Sequence, residues 1–112
     1  MLHTVAETPE YIRQVEKLLS SDERSDLILY LAAPPRAGDL IEGTGGVRKL
    51  RWARGGRGKS GGVRVIYYVH SEAMPLYLLT LFAKSERANL SKAERNALVD
   101  LVDILVSTWF ED

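Results

Sequence analysis

The 112-residue chain contains no cysteine. That removes disulfides, thiolate metal sites and a cysteine nucleophile. No apolar run approaches the roughly 20 residues needed to span a bilayer. The opening MLHTVAETPEY lacks the basic-then-apolar pattern of a secretory signal, so a cytoplasmic location is expected. His3 and His70 lie far apart and show no metal-ligand spacing, and there is no GxSxG, HExxH or convincing paired-carboxylate motif. Neither a metal nor a cofactor is therefore expected. The most informative absence is local. The formal net charge is +0, yet no acidic residue occurs from Gly43 to Ser71, a stretch holding Arg48, Lys49, Arg51, Arg54, Arg57, Lys59 and Arg64. The Debye length is about 8 Å at physiological salt, so a polyanion meets this middle segment as a positive surface whatever the total charge.

What is present suits one globular unit. Hydrophobic residues make up 46% and charged residues 27%, and the length points to a single domain, 1–112. Residues 3–7 can form an edge strand. Thr8-Pro9-Glu10 reads as a helix start, with Thr8 capping and Pro9 in the first helical position, and the helix runs to about Leu19. Ser20 and Glu23 have capping-box spacing for a second helix over 21–33, which stops at Pro34-Pro35. The segment from Pro34 to Gly46 is a connection with one apolar pair, Leu40-Ile41. Strands are expected at Val47 to Ala53, Val63 to Val69 and Leu76 to Phe82, with a glycine-rich hairpin loop from Arg54 to Gly62 and a turn from His70 to Pro75. Ser91 and Glu94 form another capping box, opening a helix to about Phe110. The fold class is α+β: a small antiparallel meander with two N-terminal helices and one C-terminal helix packed on it.

The basic hairpin carries the chemistry. A solvated loop kept positive for solubility accounts for the same residues, but such surfaces usually mix signs. Cations contact phosphates, and glycines let a strand approach the backbone closely. The GKS at 58–60 does not make a phosphate-binding P-loop: that pattern needs a glycine where Ala53 stands, and a helix rather than a strand afterwards. Arg64, inside VRVIYYV, either pairs with a carboxylate on a neighbouring strand or grips a phosphate bidentately. Lys84, Glu86 and Arg87 form a charged turn after the last strand, a rigid place to display a cation. Trp52 lies next to the loop and can stack on a base, whereas Tyr67, Tyr68, Tyr77 and Trp109 read as packing residues.

The segments GDLIEGTGGVRKLRWARGGRGKSGGVRVIYYV and LYLLTLFAKSERANLSKAERNAL resemble the HigB branch of the RelE/ParE toxin superfamily. The combination GTGG-x-RK, GKSGG-x-R-x-IYY and a later K-x-E-x-x-x-L carries the resemblance, strongest over residues 38–98. It implies a type II toxin with a HigA-like helix-turn-helix antitoxin, cutting messenger RNA on the ribosome without a metal. The positions that match are Lys49 and Arg51 before the hairpin, Arg64 after it and Lys84 after the last strand, with Arg87 as a helper; Lys49, Arg64 and Lys84 are expected to carry catalysis, and Arg51 and Arg87 to bind RNA. The basic loop itself adds Arg54, Arg57 and Lys59 as expected RNA contacts, Lys59 belonging to the glycine-rich loop typical of this branch, with Trp52 beside them. Relatives also use a tyrosine after the last strand; this chain has Leu90-Ser91 there. RNA supplies its own nucleophile, the 2′-hydroxyl, so a cation at the transition state and a lysine for proton transfer suffice. The alternatives are a non-catalytic nucleic-acid-binding module and a ParE-like gyrase inhibitor, since one fold hosts both chemistries.

Overall fold

The computed structural model describes residues 2–54 and 62–110. Along the chain the elements are β1 (Val5–Glu7), α1 (Pro9–Leu18), α2 (Ser21–Ala32), β2 (Asp39–Leu40), β3 (Val47–Trp52), β4 (Val63–Tyr68), β5 (Leu76–Ala83) and α3 (Lys92–Phe110). The α+β class holds, but the sheet is not a pure antiparallel meander. Its order is β1-β5-β4-β3-β2, and β1 pairs parallel to β5, Val5 opposite Leu76 and Glu7 opposite Leu78. A strand at the start of the chain has no hairpin partner, so it takes the open side of β5. At the other edge Asp39 and Leu40, expected only as part of a connection, pair with Lys49 and Arg48.

The helix starts follow from local hydrogen bonding. The Thr8 hydroxyl accepts from the Tyr11 N–H and donates to the Leu78 carbonyl, so one residue caps α1 and fastens it to β5. Ser20 and Glu23 close a reciprocal capping box at α2, and Ser91 and Glu94 do the same at α3. Among the described residues no helix is long and apolar enough to cross a membrane.

The central strand β4 is buried along its whole length. Its two faces meet two different cores, which is why VRVIYY is not simply alternating. On one face Val63, Val65 and Tyr67 pack with Tyr11, Val15, Leu27 and Leu31 from α1 and α2. On the other, Ile66 and Tyr68 pack with Phe82, Leu90 and Val102, and Leu98, Leu101 and Leu105 of α3 lean on that cluster. The helices therefore form two layers with the sheet between them. Gly38 shows how tightly the β2 edge closes: its N–H donates to the Tyr67 hydroxyl at 2.8 Å, and a Cβ there would meet the Lys49 carbonyl oxygen at 2.9 Å.

Candidate nucleic-acid interface

Strand alternation decides which basic side chains can meet. On β3, Val47, Lys49 and Arg51 share one face, and Arg48, Leu50 and Trp52 the other. Arg51 lies directly opposite Arg64 on β4, and Arg64 directly opposite Phe82 on β5. These three form one row across the face that α3 partly covers. The neighbouring row runs Asp39, Lys49, Ile66, Thr80. Residues opposite each other in a sheet touch through their side chains, and like charges in that position repel.

Arg64 is only 4% exposed, whereas Arg51 is exposed. Burial, and then the charge of Arg51, push the Arg64 guanidinium below its ordinary pKa. The Arg64 Nη1 donates to the Val63 carbonyl at 3.4 Å. Arg51 forms no ion pair among the described residues. Two guanidiniums facing each other across one strand pair can grip a phosphate from two sides.

The connection from β5 to α3 completes this face. The Arg87 guanidinium stacks over the Phe82 ring, 4.5 Å from its centroid. Its Nη1 donates to both Glu94 carboxylate oxygens, at 2.6 and 2.7 Å. That bond, followed by the one from the Ser91 N–H, holds the Glu94 carboxyl below the usual carboxylate range. The α3 cap and Arg87 thus share one carboxylate. Lys49 Nζ donates to Asn89 Oδ1 at 3.0 Å, which ties β3 to the same connection. Lys84 is exposed, and its N–H donates to the Gly62 carbonyl at 3.0 Å, beside the mouth of the β3–β4 loop.

Of the residues singled out from sequence, the structure brings Lys49, Arg51, Arg64 and Arg87 onto one face and sets Lys84 at its end. Two others lie elsewhere. Trp52 is on the opposite face, its ring 5.2 Å from that of Tyr30 and packed on the α1–α2 core. Arg54 Nη1 donates to the Leu18 carbonyl at 3.3 Å, at the C-terminal end of α1, where a cation is favoured. Arg57 and Lys59 lie outside the described residues. Trp52→Leu is accordingly expected to lower stability by about 1–2 kcal/mol and leave RNA affinity unchanged. Denaturant melts and a binding titration check this; a weakened affinity at unchanged stability would restore Trp52 as a stacking platform.

Asn89, Phe82 and Glu94 were not singled out from sequence as parts of this face. Phe82 reads as strand core and Glu94 as a helix cap, and both are, while Asn89 has no spacing signal. The resulting face can hold a phosphate between two guanidiniums, with a lysine one row away.

The sequence profile described as "RelE toxin of RelE / RelB toxin-antitoxin system" matches residues 13–109. Among solved structures, a double-arginine mutant of the E. coli toxin RelE in its free state shares 16% identity with a TM-score of 0.59, and the match covers 91% of this chain and 98% of that one. At that identity the likeness is one of fold.

Proposed function

Because the chain belongs to the RelE toxin family, the toxin partner in the RelE/RelB toxin–antitoxin system, we propose that it is an endoribonuclease that cuts messenger RNA on the ribosome. The observation that carries this reading is the buried Arg64, faced by Arg51 and flanked by Phe82 under Arg87, with Lys49 in the next row. The whole chain, 1–112, acts as one toxin domain of the HigB branch. It works in the cytoplasm and is restrained by a HigA-like helix-turn-helix antitoxin.

In the reaction the 2′-oxygen attacks the adjacent phosphorus while the bond from phosphorus to the 5′-oxygen breaks. One lysine, Lys49 or Lys84, takes the 2′-hydroxyl proton, and the other, or water, returns a proton to the leaving 5′-oxygen. Arg64 neutralises the charge that builds on the phosphoryl oxygens. Arg51 holds backbone phosphate. The nucleophile belongs to the RNA, so the step needs no metal-activated water. The products are a 2′,3′-cyclic phosphate and a 5′-hydroxyl.

The test is to add the purified protein to ribosomes translating a defined message and map the new ends. Cyclic-phosphate and 5′-hydroxyl ends in the ribosome-bound message are expected. An intact message together with blocked gyrase supercoiling would turn the assignment to the ParE type. Binding without either effect would leave a non-catalytic module. Arg51→Gln offers a thermodynamic check. It should reduce the slope of log K against log salt for single-stranded RNA by about 0.7, the value of one lost phosphate contact. An unchanged slope would remove Arg51 from the interface.

A further inference from the structure

Two lysines were given the proton-handling role, and they differ in how they are held. Lys84 makes no side-chain hydrogen bond among the described residues, whereas Lys49 Nζ is bonded to Asn89 Oδ1 at 3.0 Å. An ammonium can only donate, so the amide oxygen is the atom that must face it. The backbone of Asn89 is steadied from behind. Leu90 is buried in the α3-side core, and Ser91 is locked in the α3 cap. A contact spanning 40 residues of sequence thus joins a strand to a well-fixed turn.

We propose that Asn89 is a positioning residue that holds the Lys49 ammonium beside the Arg51–Arg64 row, and does so with a neutral acceptor. The proposal rests on the RNA-cleavage reading and deepens it by making Lys49 the proton-handling lysine. A lysine is a flexible four-carbon stem, and an unheld one spends little time at any single point. A carboxylate at position 89 would fix it equally well but would also favour its charged form. The amide gives direction without adding charge. The charged groups around Lys49 are Asp39 opposite it on β2, Arg51 on its own strand, Arg64 on β4, and Arg87, paired with Glu94 of α3, on the connection. No carboxylate forms an ion pair with Lys49 among the described residues. With Lys49 as base, the held ammonium first loses a proton to water, and the neutral Nζ then takes the 2′-hydroxyl proton as the new bond to phosphorus forms. The 5′-oxygen leaves with a proton from Lys84 or water.

Three variants of the exposed Asn89 separate the possibilities, each assayed for single-turnover cleavage on programmed ribosomes across pH. In parallel, the Lys49 ammonium is titrated by NMR in the free protein. Asn89→Ala should slow cleavage about tenfold to a hundredfold, the scale of a displaced reacting group. Asn89→Gln should recover part of that loss. Asn89→Asp should move the Lys49 titration to higher pH, and the rising limb of the pH–rate profile should move with it. Full activity in Asn89→Ala, or an unmoved Lys49 titration in Asn89→Asp, overturns the proposal. If Lys49→Ala cleaves as well as the wild type, the assignment to Lys49 is also overturned. A wild-type protein that leaves RNA intact would defeat the cleavage reading instead, and the NMR titration would still decide whether Asn89 holds Lys49.

Discussion

Replacing Arg64 by methionine is expected to slow RNA cleavage about 10²–10³-fold, the loss seen when one donor to a developing oxyanion is removed. The effect is large because this guanidinium cannot be replaced from nearby. It sits on the central strand, 4% exposed, with its backbone fixed on both sides by β3 and β5. Arg51 faces it but is exposed, and Arg87 is held by Glu94. A fixed cation loses nothing to reorganisation as charge develops, while a mobile one must first be brought in. Methionine keeps an unbranched apolar stem of similar length, so it fills the space without a charge. The expected pair of results is therefore a protein slowed to that degree that still folds, as read by circular dichroism and a cooperative melt. Wild-type cleavage by Arg64→Met would end the transition-state role assigned to this residue.

Gly62→Ala should be the most disruptive small substitution, destabilising the protein by about 3 kcal/mol through overpacking. A Cβ at this position falls well inside van der Waals contact of the Trp52 carbonyl oxygen and against Ala53 Cα. Both are backbone atoms, so no side-chain rotation relieves the clash. Strands β3 and β4 would have to separate at the Trp52–Val63 pair, which is adjacent to Arg51–Arg64. The Gly62 carbonyl also accepts from the Lys84 N–H, so the disturbance reaches the end of β5. For a domain of about 100 residues, 1 kcal/mol corresponds to several degrees of melting temperature, and a drop of more than 10 °C is expected. Cleavage should fall together with stability. A melting curve that matches the wild type would mean that the two strands do not approach as closely as described.

The elements were readable from the sequence because their signals are local. Thr8-Pro9, Ser20 with Glu23 and Ser91 with Glu94 mark helix starts through hydrogen bonds spanning a few residues. The strands announce themselves through β-branched and aromatic runs. The sheet was less readable because pairing is not local. Nothing in HTVAE says that it lies parallel to residues 76–78, and two residues at 39–40 are too few to show an alternation. The candidate site divides the same way. Lys49, Arg51 and Arg64 could be placed on one face by counting along two strands. Trp52 is near the loop in sequence, but strand parity turns it to the far face with Tyr30. Asn89 could not be found from sequence, since its role depends on a turn folding back over a strand 40 residues earlier.

The parallel pairing of β1 with β5 also sets the order in which the molecule can be finished. Val5 must wait for Leu76, so the first strand has no partner until most of the polypeptide has been made. Closing so long a loop is slow compared with forming the β3–β4 hairpin, which needs only adjacent residues. Arg51 and Arg64 can therefore pair early, but Phe82, Arg87 and Asn89 belong to the last third of the chain. A chain broken off before β5 has the two arginines and none of the groups around them. Synthesis in the N-to-C direction thus delays assembly of the basic face until β5 and the connection after it have been made.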